Sequence, residues 1–244
     1  MKTTNLLLLL SMFFILGCRK NKDEFAGTGS KIVPREILSS DKYNELLIEI
    51  AYEGDHAPDQ DAVDMFRNFV LTRVNKPKGV SIMYNPIPNQ NKTLYTVSDI
   101  NSLELKYRKE YPRKKKLTLF VFYAWADYSE NTSSGKVMGA AYGSSSFAVF
   151  GKTTQDYSGG ITQPSQKILE ATVFEHEMGH LLGLVNNGSP MVSYHEANNH
   201  HCDNEDCLMY YAVETTDFVA NLLGGSVPAL DQHCIDDVRN NGGK

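Results

Sequence analysis

The stretch that decides the fold is His176-Glu177-Met178-Gly179-His180-Leu181-Leu182-Gly183. Ile168, Leu169, Val173 and Phe174 lead into it at helical spacing, Pro164-Ser165 suits a helix start, and Gly183 suits its stop. On such a helix residues i and i+4 share one face, so the imidazoles of His176 and His180 can approach a single ion with Glu177 beside them. A zinc held by two histidines and a third protein ligand keeps one position for water, and a neighbouring carboxylate can take that water's proton. The pattern therefore points to metal-dependent hydrolysis of a peptide bond, with Glu177 as general base and then acid.

Working outward toward the N-terminus, the apolar patterning alternates between strand and helix. Leu46–Tyr52, Gly79–Tyr84 and Leu117–Trp125 read as strands, and Asp61–Val74 as a helix behind acidic residues. Ser98–Tyr111 reads as a second helical segment, alone or mixed with loop, and Ala140–Gly143 and Ser146–Gly151 as short strands followed by a loop through Pro164. This order predicts an α+β fold with an α/β-like upper part: a mixed twisted sheet, the helix carrying the two histidines, and a small irregular C-terminal part ending in a helix near Pro228–Arg239. No internal repeat is present. Gly139–Phe150 is expected to supply a sheet edge above the helix, against which an extended peptide could pair its backbone.

With Gly183 the motif reads HExxHxxG, and here the sequence resembles the metzincin metallopeptidases, whose pattern continues to a third ligand and a later methionine turn. The position where that ligand is expected holds Asn186, a poor zinc ligand beside imidazole or carboxylate. Farther on, His201-Cys202-x4-Cys207-x-Met209 is similar to the archaemetzincin segment in which the third histidine directly precedes the first cysteine. The resemblance implies a metzincin-like zincin fold, with Zn²⁺ held by His176, His180 and His201 across an insertion from Leu184 to His200. His195, His200 and Asn186 remain competitors for the third position. It also implies that Met209 packs beneath the site and that Tyr211 stabilises the oxyanion. Two other readings stand beside it: a gluzincin-like peptidase with Glu196 or Glu205 as third ligand, and a non-catalytic zinc-containing lipoprotein that binds protein or glycan.

The start of the chain carries a different message. Met1-Lys2, then the apolar runs Leu6–Leu10 and Met12–Leu16, form an export signal too short to span a bilayer stably. It ends Ile15-Leu16-Gly17-Cys18, which resembles the lipobox of bacterial lipoproteins. That resemblance implies removal of residues 1–17, acylation of Cys18, and an outer-membrane lipoprotein facing the periplasm or the cell surface. Residues 18–34 then read as a polar tether whose Lys22-Asp23-Glu24 resembles an acidic surface-display signal. Residues 35–244 read as one catalytic domain, with an upper part over about 35–183 and a lower part over 184–244.

The full chain of 244 residues carries a net charge of −5, and the chain from Cys18 onward, without Lys2, −6, the wrong overall sign for a nucleic-acid or anionic-membrane binder. Lipid at Cys18 is therefore the expected membrane link, a peptide or protein the expected partner, and a monomer the expected state. The run Arg113-Lys114-Lys115-Lys116 reads as a solvated face or strand gatekeeper. Of the four cysteines, Cys18 is absorbed by lipid, and in an exported chain Cys202 and Cys207 read first as a disulfide. In archaemetzincins the two loop cysteines join a downstream CxxC around a second, structural zinc. This chain departs from that pattern and offers only His233-Cys234, which leaves as the other option a Cys3His site from Cys202, Cys207, Cys234 and His233.

Overall fold

The computed structural model describes residues 31–132, 135–214, 219, 222 and 225–244. The expected signal peptide, Cys18 and nearly all of the tether lie outside them. Five strands form the main sheet: β1 (Glu45–Glu53), β2 (Val80–Ile87), β4 (Lys116–Ala124), β6 (Gly139–Tyr142) and β7 (Ser146–Phe150). Their order is β2-β1-β4-β7-β6, all parallel except β6, which runs antiparallel to β7 at the edge.

The central strands β1 and β4 are nearly continuous apolar runs, as strands covered on both faces must be. Their side chains alternate faces. Leu46, Ile48, Ile50, Leu117, Leu119, Val121 and Tyr123 join one core, while Ala51, Phe120, Phe122 and Ala124 join a second. The first core packs against helices α2 (Gln60–Arg73) and α5 (Gln166–Leu181). The second packs under α3 (Val97–Tyr107) and the small ribbon of β3 (Leu94–Tyr95) with β5 (Asp127–Tyr128).

Local chemistry sets the helix starts. Asp59 caps α2 by accepting from the Ala62 N–H at 3.1 Å, and Thr96 with Asp99 forms a capping box on α3. Two acids inside β1 are absorbed structurally. Glu49 accepts from Asn85 Nδ2 at 2.6 Å and from the Glu110 N–H at 2.8 Å, and Glu53 accepts from the Tyr95 hydroxyl at 2.5 Å.

Three boundaries differ from expectation. The fold begins earlier than residue 35: Ile32 is already buried, and Pro34 opens a short helix α1 (Pro34–Leu38) whose Ile37 and Leu38 enter the core. The expected loop after Phe150 contains a helix, α4 (Gly151–Asp156), hidden in the sequence by glycine and two β-branched threonines of poor helix propensity. The last helix, α6 (Gln232–Asn240), starts four residues after Pro228, where Asp231 caps it through the Cys234 N–H.

Candidate metal centre

Helix α5 is buried along almost its whole length, wedged between the sheet, α2 and the lower part of the chain. It presents His176 and His180 toward the lower part, with their Nε2 atoms 3.1 Å apart. Two nitrogens bound at about 2.05 Å to one tetrahedral zinc stand about 3.3 Å apart, so this pair has the right spacing. Ligand atoms of His176, His180 and His201 all lie within 4.8 Å of one another, and the His201 ring centroid is 5.3 Å from that of His176 and 4.9 Å from that of His180. Orientation is set by backbone carbonyls. His176 Nδ1 is 2.7 Å from Leu208 O and His201 Nδ1 is 2.9 Å from Asn198 O, so donation from Nδ1 leaves Nε2 with the lone pair in both rings. Burial first, then the neighbouring His201, hold His176 down to about 3, which keeps it neutral.

Glu177 is fully buried against strand β6. Gly139 at the start of that strand has no side chain to offer. A methyl group there would stand 2.5 Å from Glu177 Oε1 and 2.7 Å from Val173 Cγ1. One residue before His180, Gly179 does the same for Met209, whose sulfur fills the space that a Cβ at 179 would need. Met209 is fully buried beneath the helix.

The chain leaves α5 through Gly183 at φ +75°, then Val185 and Asn186 at φ +50° and +61°. Asn186 does not join the three imidazoles. Its Nδ2 donates to Glu196 Oε2 at 2.9 Å, while Glu196 Oε1 accepts from the His200 N–H at 3.0 Å. This carboxylate ties the two ends of the insertion together and is held below its usual pKa by the Asn186 and His200 hydrogen bonds. Strands β8 (Glu196–Ala197) and β9 (His201–Cys202) form a hairpin, and three successive left-handed residues, Asn198, Asn199 and His200, turn it so that His201 reaches the other two histidines. Tyr211 begins a short 3₁₀ turn, 43% exposed, with its ring 4.7 Å from that of Tyr210.

A second cluster lies behind the hairpin, and it corrects the expected Cys202–Cys207 disulfide. Cys202, Cys207 and Cys234 are all free and buried. Cys207 Sγ is 3.7 Å from Cys234 Sγ, far beyond a disulfide's 2.05 Å, and Cys202 Sγ is 3.5 Å from His195 Nδ1. The histidine facing the sulfurs is thus His195, whereas His233 stacks on that ring with centroids 5.5 Å apart. His195, Cys202, Asp231 and Cys234 bring one potential ligand atom each to within 4.8 Å of one another. Hydrogen bonds from Cys202 and Cys234, with the Asp231 and Met209 N–H groups each at 3.4 Å, hold the Cys207 thiol well below the usual thiol range. Its partners Cys202 and Cys234 are pushed up as donors. His195 in turn has Nε2 2.9 Å from Asp237 Oδ2, and both groups are buried. Burial works against charge on this ring, but the bonds to Cys202 and Asp237 outweigh it and raise its pKa.

The fold can now be placed among known ones. Archaemetzincin from Methanopyrus kandleri, known from a crystal structure, superposes with a TM-score of 0.52 over 86% of this chain and 98% of its own, at 17% sequence identity. The fold is archaemetzincin-like. No protein-family profile and no curated protein sequence matches the chain. An archaemetzincin-like fold at this identity speaks for architecture, so the chemistry rests on the side chains described above.

Three residues of these clusters were not singled out by the sequence for what they do. Gly139 carries no signal beyond being a glycine at a strand start. His195 stands seven residues before Cys202 but 39 before Cys234, and Asp237 lies on a separate helix, so only the folded chain joins them.

Proposed function

We propose that the chain is a zinc-dependent endopeptidase, with His176, His180 and His201 as metal ligands and Glu177 as general base. The observation that carries this is the convergence of three imidazoles within 4.8 Å, two of them on a helix that also presents the buried carboxylate of Glu177. The donor set suits the metal: two rings are oriented by carbonyls through Nδ1, and the Nε2 spacing on α5 matches a shared tetrahedral ion. When bound there, zinc supplies Lewis acidity that lowers the pKa of water and polarises a peptide carbonyl.

The remaining steps belong to protein groups. Strand β6 is an edge strand, and its outer side offers backbone N–H and C=O groups to an extended substrate. Glu177, resting on the Gly139 backbone, takes a proton from the attacking water and delivers it to the departing amine nitrogen. Tyr211, exposed two residues after Met209, is the hydroxyl we assign to the developing oxyanion. We also assign Cys18 to lipid attachment, which would present this peptidase at a bacterial outer membrane. Among the described residues no helix is long and apolar enough to cross a membrane.

We assign a second, structural zinc to His195, Cys202 and Cys234 of the converging group, with Cys207, whose sulfur meets that of Cys234, preferred to Asp231 as the fourth ligand because thiolate suits zinc better. The edge of a tetrahedral zinc–thiolate site with bonds of about 2.3 Å is about 3.75 Å, close to the 3.7 Å between Cys207 and Cys234. Asp237 then orients His195 as a carboxylate partner of a ligating histidine. The test of the enzyme reading is Glu177→Ala. It should keep its zinc content and lose hydrolysis of an unfolded protein substrate; undiminished hydrolysis would overturn the assignment.

A further inference from the structure

Strands β1, β2 and β4 all begin at one end of the sheet, and four basic side chains are exposed there. The Lys78 N–H donates to Asn44 O at 2.9 Å and the Asn44 N–H donates to Lys115 O at 2.9 Å, so these loops form one seam. Arg113 and Lys116 close a tight turn by two 3.0 Å backbone bonds, with Lys114 at φ +57° on its tip. Lys78, Arg113, Lys114 and Lys115 are all exposed. Three acidic groups at the same end are already engaged: Glu36 with Lys42 at 2.6 Å, Asp41 with Arg35 at 2.9 Å, and Glu110 with Lys116 at 2.8 Å, so that among the described residues Glu45 at the start of β1 is the one acid set in the seam against four exposed cations. A local excess of positive charge therefore sits on a chain whose net charge is −5. Tyr111, 49% exposed and 5.0 Å from the Arg108 guanidinium, adds an amphipathic ring beside it.

The entry of the chain into the fold lies along this end. The Ile32 N–H donates to Ser144 Oγ at 3.1 Å, and the neighbouring Ser145 Oγ accepts from Arg108 at 3.5 Å. Lys76, two residues from Lys78, fastens residues 36–43 by donating to the carbonyls of Glu36 at 2.8 Å, Tyr43 at 2.9 Å and Ser39.

We propose that this end of the sheet docks on an anionic lipid surface, with Lys78, Arg113, Lys114 and Lys115 facing the headgroups. A solvated basic face would need no particular placement, whereas here the cations gather where the segment leading from residue 30 joins the fold. Residues 18–30 can span at most about 45 Å fully extended. That orienting consequence rests on the lipid-anchor reading of Cys18, but the charge complementarity does not. Each lysine or arginine near such a surface is worth about fivefold in binding, and salt screens it.

The test uses the chain from residue 18 with Cys18→Ser, which keeps every described residue but no lipid. It is co-sedimented with vesicles of phosphatidylcholine alone or mixed equally with phosphatidylglycerol. Binding to the mixed vesicles only is expected, with a loss of about a hundredfold in the triple variant Lys78→Glu, Lys114→Glu, Lys115→Glu, which removes three such contributions and adds repulsion. Lys152→Glu with Lys167→Glu, reversing charges that pair with Asp156 and Asp61 elsewhere, should leave binding within about twofold. Equal binding to neutral vesicles, an equal loss in the control pair, or tighter binding to a single-stranded oligonucleotide than to the vesicles would overturn the proposal. Failure of the anchor reading would show separately, as an unacylated Cys18 by mass spectrometry of the exported protein.

Discussion

A methyl group placed on Gly139 would stand 2.5 Å from Oε1 of Glu177 and 2.8 Å from its Cγ, so the backbone of the edge strand is the wall on which this carboxylate rests. In the proposed mechanism, the strand that would pair with a peptide thus also locates the group that would move the proton. Gly139→Ala must displace either the strand or the carboxylate. A misplacement of about 1 Å costs on the order of a hundredfold in turnover. We expect kcat to fall by about that factor with zinc content unchanged, measured by steady-state hydrolysis beside elemental analysis. Unchanged kcat would mean that Glu177 is held by something else.

Gly179 and Met209 make a second such pair, with sulfur occupying the place of the missing side chain. Gly179→Ala should overpack this contact and destabilise the fold by about 1–3 kcal/mol, despite alanine's better helix propensity. Thermal unfolding would fall by roughly 2–4 °C per kcal/mol for a domain of this size. Met209→Ala in the same chain should recover part of the loss, as a coupled pair requires.

Much of this architecture was legible in the sequence. The apolar runs Leu46–Tyr52 and Leu117–Trp125 are central strands, because both faces of β1 and β4 are covered and neither needed a polar alternation. Helix α5 announced itself by its histidine spacing and its stop at Gly183. What stayed hidden depended on partners distant in sequence. Helix α1 exists because Ile37 and Leu38 find the core, and α4 because Gly151 fits against the Tyr123 ring, not because their residues favour helices. The cysteines read as a disulfide because spacing in sequence says nothing of Cys234 and His195, which the fold brings to the same sulfurs, His195 Nδ1 lying 3.5 Å from Cys202 Sγ and 4.0 Å from Cys234 Sγ.

For the sulfur cluster, His195→Ala should remove one equivalent of zinc and lower thermal stability while the three-histidine centre keeps its metal. Asp237→Asn should weaken that zinc tenfold to a hundredfold, the usual effect of losing a carboxylate behind a ligating histidine. Thiol titration of the chelated, unfolded chain without reductant should find Cys202, Cys207 and Cys234 all reactive. Two missing thiols would restore the disulfide.

Glu196 bridges Asn186 and the His200 N–H, so its role is to shape the hairpin that delivers His201. Glu196→Ala should lower zinc affinity at the three-histidine centre by about tenfold to a hundredfold without abolishing binding, as a supporting rather than ligating residue does. Competition with a chelator of known affinity reads this directly. Complete loss of that zinc would make Glu196 the third ligand instead.

Whether His201 completes a catalytic zinc site is read by zinc per chain in the wild type and in His201→Ala, together with hydrolysis of an unfolded protein. His201→Ala should lose one equivalent of zinc and all hydrolysis, while its sulfur-bound zinc remains. A His201→Ala chain with the zinc content and activity of the wild type would contradict that role.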